Sequence, residues 1–251
     1  MADTARGRVR TEPGSKRVRV YVGGECVADT TRPLYVWEVP YYPAYYLPID
    51  DVRMELLSPT GNTKQSTSRG DGTYFAVKGA GRVADDAALR YLDSPVEELR
   101  DHVRFDWDAV DAVFEEDEEV FIHPRDPYKR VDVLHSSRHV EVFVGGVKVA
   151  DTHRPTVLYE SGLPARYYLP QTDVRMDLLE PTEKQTGCPY KGFARYWNVR
   201  AGDAVHEDLA WSYPTPLPES QKVAGLVTFY NERVDFVVDG EAQERPHTPF
   251  S

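Results

Sequence analysis

The chain reads as a mainly β protein: antiparallel strands, about one short helix per repeat in the α+β manner, and two pseudo-symmetric tandem domains. Three observations carry this reading. First, "VGGECVADTTRPLYVWEVPYYPAYYLPIDDVRMELLSPT" (22–60) aligns without a gap on "VGGVKVADTHRPTVLYESGLPARYYLPQTDVRMDLLEPT" (144–182), with 22 identities in 39 positions. A period this long marks a duplicated domain rather than a short solenoid repeat. Second, apolar and polar residues alternate through most of each copy, the period of a half-buried strand. Third, turn residues interrupt the alternation at intervals of roughly 8–12 residues, as in all-β domains.

The same shift of 122 extends the match beyond the core segment. "RVRTEPGSKRVRVYV" (8–22) falls on "RVDVLHSSRHVEVFV" (130–144), and "YFAVKGAGRVADDAALRYL" (74–92) on "YWNVRAGDAVHEDLAWSYP" (196–214). Val-Asp at 110–111 and at 234–235 are each followed, 12 residues on, by a histidine, His123 and His247. The first repeat therefore spans residues 1–124 and the second 125–251. The seam, "EEDEEVFIHPRDPYKRVDV", is polar and proline-bearing, as a domain boundary should be. Two copies this alike are expected to pack on each other about a pseudo-two-fold axis.

Within each copy the elements follow in order. "RVRVYVGGECVADT" and "HVEVFVGGVKVADT" are hairpins turning at Gly-Gly, where glycine accepts a positive φ. "PLYVWEV" and "PTVLYES" are further strands. "YYLP" leads through a turn to "DVRMELL", which ends at a Pro-Thr. "TYFAVKGAGRVADDAAL" and "ARYWNVRAGDAVHEDLAW" read as strand, turn, strand. A helix is expected over "ELRDHVRFDWDAV", with Ser94 as cap, Pro95 at its first position and Glu97 closing a capping box. "PLPESQKVAGLVTFY" is its shorter counterpart, and "VDFVVDGEA" closes the second copy as a hairpin.

The formal net charge is −11, with no Lys/Arg block. That balance excludes a nucleic-acid backbone or an anionic membrane as the main partner, since both select basic stripes. No run of 18 apolar residues is present to span a membrane, and the N-terminus has no signal-peptide core. A cytoplasmic protein is expected, with Cys26 and Cys188 as thiols. No cofactor follows from the residues. The seven histidines form no metal signature in the sequence.

The copies differ most at "KQTGCPYKGFARYW" (184–197). Aligned on the shared Lys-Gln, the first copy's "KQSTSRGDGTYF" (64–75) is two residues shorter. Cys188, Pro189, Tyr190 and Lys191 then have no counterpart of the same type. The turn offers a thiol, a phenol and an ammonium within four residues, and Lys191 beside Cys188 would favour the thiolate. The aromatics Tyr167, Tyr168, Tyr190, Trp197, Trp211 and Tyr213 either stack a flat ligand or fill a core. Charges shared by both copies, Asp29/Asp151, Arg32/Arg154, Glu38/Glu160, Asp51/Asp173 and Arg53/Arg175, are expected to be structural pairs, with Glu160 and Arg175 bordering the turn in the second copy. The candidate site is thus Cys188, Tyr190, Lys191, Trp211, Tyr213, Arg175, Glu160 and Tyr168.

With "RYYLPQTDVRMDLLEPTEKQTGCPYKGFARYWNV", "AWSYPTPLPE" and "VAGLVTFY", the chain resembles the domain-of-unknown-function 427 family in a tandem two-copy form. The Cys-Pro-Tyr-Lys-Gly turn and the Trp-Ser-Tyr triplet are that family's clearest markers. Both stand intact in the second copy, whereas the first has "TSRGDG" and Leu89-Arg90-Tyr91 in their places. The family is also labelled nucleotidyltransferase-like, a chemistry that needs metal-holding carboxylates beside a phosphate cradle. No phosphate-binding loop occurs here, and the acidic run Asp106, Asp108, Asp111 is replaced in the second copy except at Asp235. The resulting expectation is a small-metabolite binder with its pocket in the second repeat. An enzyme using Tyr190, Lys191 or Cys188, and a protein-interaction scaffold, stand as alternatives.

Overall fold

The computed structural model describes residues 9–248. The described residues up to Asp126 form one compact unit and those from Pro127 a second. The first unit carries β1 (Arg10–Pro13), β2 (Val18–Val22), β3 (Glu25–Thr30), β4 (Leu34–Val39), β5 (Tyr42–Pro48), β6 (Leu57–Ser66), β7 (Gly70–Gly79), β8 (Arg82–Arg90), β9 (His102–Phe105), β10 (Ala112–Glu115) and β11 (Glu118–Val120). The second carries β12 (Val131–His135), β13 (Val140–Val144), β14 (Val147–Thr152), β15 (Thr156–Glu160), β16 (Arg166–Tyr168), β17 (Leu179–Cys188), β18 (Gly192–Ala201), β19 (Ala204–Ser212), β20 (Thr228–Phe229), β21 (Asp235–Val238) and β22 (Glu241–Ala242). Each strand of the first unit has its counterpart eleven strands later.

In the first unit a seven-stranded sheet runs β1-β4-β5-β9-β8-β7-β6, and a four-stranded sheet runs β11-β10-β2-β3. The second unit repeats both orders. Its small sheet is β14-β13-β21-β22, and its large sheet is recorded as β12-β15-β16 and β17-β18-β19-β20. Those two pieces meet where Leu169 and Val227 exchange backbone hydrogen bonds of 2.7 and 2.9 Å. All the strand ladders are antiparallel, so the fold class is the one expected.

The period-2 pattern explains the layers. Val18, Val20 and Val22 of β2, and Val140, Val142 and Val144 of β13, point inward and are buried, while the intervening residues face outward. They meet the inner face of the large sheet, where Leu47, Val77 and Phe105 in one unit match Leu169, Val199 and Phe229 in the other. The β2–β3 and β13–β14 hairpins turn at Gly23-Gly24 and Gly145-Gly146, with both φ angles positive in each pair. That geometry matches the twist of the strands and needs residues without a Cβ penalty. The outer face of each large sheet carries a second, smaller apolar cluster. In the first unit it is Val36, Tyr46, Leu89, Tyr91 and Leu99; in the second it includes Leu158, Tyr168, Tyr196, Trp211, Tyr213 and Val223.

Two details differ from the sequence reading. The helix expected over "ELRDHVRFDWDAV" is a single 3-10 turn, Glu97–Leu99. Ser94 does act locally, its Oγ accepting from the Val96 amide at 3.1 Å. Beyond it, however, "HVRF" alternates half-buried and buried and pairs as β9 with β5 and β8. A β-branched and an aromatic residue at period 2 outweigh the capping signal. The second copy's counterpart is the 3-10 segment Pro218–Val223. Among the described residues no helix is long and apolar enough to cross a membrane.

The second difference concerns the turn. The β6–β7 ladder ends at Ser66↔Gly70 and the β17–β18 ladder at Cys188↔Gly192. The two hairpins are therefore equal in length, and the shared Lys-Gln is out of register. Arg69 stands where the second copy has Lys191, Gly70 where it has Gly192, and Ser66 where it has Cys188.

Candidate functional site

The Cys-Pro-Tyr-Lys-Gly turn joins β17 to β18 through Pro189, Tyr190 and Lys191. Gly192 takes φ +93°, and a Cβ there would press on the Thr215 carbonyl at 3.3 Å, so the turn closes only with glycine. The turn is also tied to the start of the Pro218–Val223 helix and the residue before it. The Leu217 amide donates to the Lys191 carbonyl at 3.2 Å and Ser220 Oγ to the Tyr190 carbonyl at 3.3 Å.

These ties turn the Lys191 side chain inward over the outer face of the large sheet. Its ammonium donates to the Glu160 carboxylate, and each side chain is only 11% exposed. Glu160 arrives from the end of β15, on the same face as Leu158. Tyr168 of β16 is fully buried beside them. Burial raises its phenol pKa well above the ordinary value, with a hydrogen bond from Trp211 and the charge of Arg166 opposing. Tyr213 is raised in the same way, first by burial and then by Tyr168, Cys188, Tyr196 and Glu160 nearby. Both phenols are neutral at pH 7. Trp211 packs at 4.4 Å on Tyr230 and at 6.2 Å on Tyr196. Cys188 is half-buried against the same cluster.

Of the eight residues singled out in the sequence, Cys188, Lys191, Glu160, Tyr168, Trp211 and Tyr213 are brought together. Tyr190 sits half-buried in the turn itself. Arg175 is not part of the group: it is exposed, precedes the 3-10 turn Met176–Leu178, and pairs with Asp177 at 2.6 Å. Sequence reasoning missed Arg166 and Glu232. Arg166 makes a two-pronged ion pair with Glu232 at 2.7 and 2.6 Å, and its guanidinium lies 5.6 Å from the Trp211 ring. Burial alone would raise the Glu232 pKa, but Arg166 and Thr248 outweigh it and hold the carboxyl below its usual value. The signal was present: "RYYLP" in the second copy reads "AYYLP" in the first, and "NERVD" reads "WDAVD".

The first repeat shows what the cluster does. Arg69 is buried there and lies 3.7 Å from Glu38, while Tyr46 donates to Glu38 at 2.5 Å. Arg104 approaches the other carboxylate oxygen at 3.5 Å. Both repeats thus hold a cation, a carboxylate and a buried tyrosine at equivalent positions. One pair of shared surface charges is kept in the same way in both repeats. Arg32 pairs with Asp51 and Arg154 with Asp173, and Thr30 and Thr152 each donate to that aspartate at 2.7 Å.

The model of a family described as a domain of unknown function (DUF427) matches residues 10–116 and again residues 132–240. The chain is a tandem member of this family. Each match takes in most of the two sheets and the outer-face cluster of one unit. The Cys-Pro-Tyr-Lys-Gly turn and the Trp-Ser-Tyr triplet meet at one place, on the outer face of the large sheet. No curated protein matches the chain.

Two depressions complete the description. The larger, about 780 Å³, is an open groove in the first unit lined by Pro13, Arg32, Leu34, Ile49, Asp50, Asp101 and His102, among others. The smaller, about 170 Å³, lies in the second unit beside Ala165, Tyr167, Asn231 and Phe236. Neither is lined by Cys188, Tyr190 or Lys191.

Proposed function

We propose that this chain binds a small, amine-bearing metabolite, and that the ligand sits in the groove of the first repeat. The observation that carries this reading is the groove's chemistry. Its volume falls in the range of small-molecule sites, roughly 300–1,000 Å³. Its walls are apolar (Pro13, Pro33, Leu34, Pro48, Ile49). Arg32 is already paired with Asp51, whereas the exposed Asp50 and Asp101 carboxylates form no hydrogen bond with described residues. Burial lowers the His102 pKa, more than the Glu98 carbonyl raises it, so the ring contributes no charge at pH 7. The open charge is negative and suits a cationic group.

The equivalent region of the second repeat is built differently. Gln171 stands in the place of Ile49, and its Nε2 donates to the Gly225 carbonyl at 2.8 Å. Thr172 and Gly225 replace the two aspartates, and Lys222 reaches the Val133 carbonyl at 3.0 Å. This favours the first repeat over the pocket expected near Cys188. There the ammonium is taken by Glu160, and Tyr168, Trp211 and Tyr213 are buried rather than displayed.

The test is ligand-observed NMR with a panel of primary amines and their N-acetyl analogues. Wild-type protein should bind members of the amine panel but not the acetylated forms. The Asp50→Asn/Asp101→Asn double variant should bind at least about ten-fold more weakly, and Cys188→Ser should bind normally. Equal binding by the double variant, or no binding of any amine by the wild type, would refute the proposal.

A further inference from the structure

We infer that the second repeat carries a binding site for a divalent transition-metal ion of the zinc kind, formed by His139, Asp151 and His153. The ligands come from both strands of one hairpin. Val140 pairs with Thr152 and Glu141 with Asp151, so His139 and His153 continue the ladder as an opposed pair. Because Val140 and Thr152 point into the core, the residues flanking them project on the outer face. One ligand atom from each of the three side chains lies within 4.8 Å of the other two. A tetrahedral ion with bonds of about 2.0–2.1 Å needs ligand atoms roughly 3.4 Å apart, a gap that rotation of exposed side chains closes.

The backbone places His139 firmly. Its amide donates to Asp239 Oδ1 at 2.9 Å, and the Asp239 amide donates to its carbonyl at 2.8 Å. Its ring meets Asp151 through Nε2 at 2.8 Å and stacks on His153 with centroids 4.0 Å apart. Two imidazoles and one carboxylate suit zinc, and three protein ligands leave a position open.

The first repeat supplies the contrast that gives this grouping meaning. At the positions of His139, Asp151 and His153 it has Arg17, Asp29 and Thr31. Arg17 clasps Asp29 through two hydrogen bonds of 2.8 and 2.5 Å. There the aspartate's charge is satisfied by a fixed guanidinium, which ligates no metal. In the second repeat two metal-ligating rings take over the flanks. The remaining cation, Lys148, lies 2.9 Å from Asp151 and 2.5 Å from Glu141, and competes with a metal for the carboxylate.

The sequence concealed the site because its ligands belong to two separated segments. The pair at i and i+4 in "HSSRH" is not the one used: His135 instead bonds Thr156 at 3.1 Å.

The experiment is a Zn²⁺ titration of the full chain, without a polyhistidine tag, in competition with a chromophoric chelator. One equivalent should bind with a micromolar or tighter Kd. His139→Gln and His153→Gln should each weaken binding at least about ten-fold without lowering the melting temperature, since both rings are surface groups. Lys148→Met should tighten binding, because it releases Asp151. Absence of Zn²⁺ binding, or unchanged binding in a His139→Gln/His153→Gln double variant, would overturn the inference. Unchanged or weaker binding in Lys148→Met would remove Asp151 from the ligand set and overturn it as stated.

Discussion

The Lys191–Glu160 pair should behave as a structural ion pair of the second repeat. With each side chain only 11% exposed, neither partner keeps much hydration once the other is removed. Lys191→Met leaves a carboxylate in an aromatic cluster, and breaking a buried pair in this way costs about 3–5 kcal/mol. The second unit spans residues 127–251. At about 2.1 cal/mol/K per residue, a unit of this length has an unfolding entropy near 0.26 kcal/mol/K, so a loss of 3 kcal/mol lowers its midpoint by about 11 °C. Glu160→Leu alone should cost a similar amount by stranding the ammonium. The double variant Glu160→Leu/Lys191→Met should recover most of the loss, since a buried pair replaced by apolar groups of similar volume is often neutral. Differential scanning calorimetry on the four proteins measures the coupling. Single losses below about 1 kcal/mol that simply add in the double variant would mean that the pair is effectively solvated, and the reasoning would fail.

Four further outcomes follow from the same packing. Gly79→Ala should destabilise the first repeat by roughly 2–3 kcal/mol in urea unfolding, because a Cβ there meets the Val22 carbonyl. Ala201→Gly, at the equivalent position of the second repeat, should cost only about 0.5–1 kcal/mol. Arg166→Met should destabilise the second repeat by about 3–5 kcal/mol, because it leaves Glu232 without its two-pronged partner in a fully covered position. Because Glu232 is held below its unfolded value of about 4.3, its stabilisation is complete above that pH and is lost as pH falls through the lower folded value. An acid titration of stability should therefore be shallower in Glu232→Gln than in the wild type.

Much of the architecture was legible because a duplicated sequence displays its own alternation twice. Val18-Val20-Val22 and Val140-Val142-Val144 point to the same buried strand, and Gly-Gly at both hairpins fixes the turn. What failed was local. The capping box at Ser94 and Glu97 starts a turn, yet "HVRF" finds neighbours on both sides in a sheet, which a single segment does not reveal. The shared Lys-Gln drew a gap into the alignment, although strand register pairs Arg69 with Lys191. Six of the candidate residues do converge, since all lie on or beside strands whose outer face is apolar. Arg175 does not, because a run of two 3-10 turns carries it away from that face. The groove was invisible in the sequence: its acids, Asp50 and Asp101, are far apart in the chain and meet only through β5 and β9.

The two repeats share one buried ion pair beside a tyrosine and differ at two places on the surface. Glu38 and Glu160 both keep a cation and a nearby tyrosine, even though the cation changes from arginine to lysine. Loss of either partner strands a charge, so substitution there is tightly limited. At the rim no such penalty operates. Gln171 meets Gly225 in one repeat, whereas Asp50 and Asp101 stand open in the other. Arg17 satisfies Asp29 in one, whereas His139 and His153 flank Asp151 in the other. In each case one copy satisfies its polar groups within the chain and the other leaves them turned outward. A duplicated frame in which one copy is closed at a given place and the other open is best tested at the open one. For this chain that directs the amine panel to the first repeat and the zinc titration to the second.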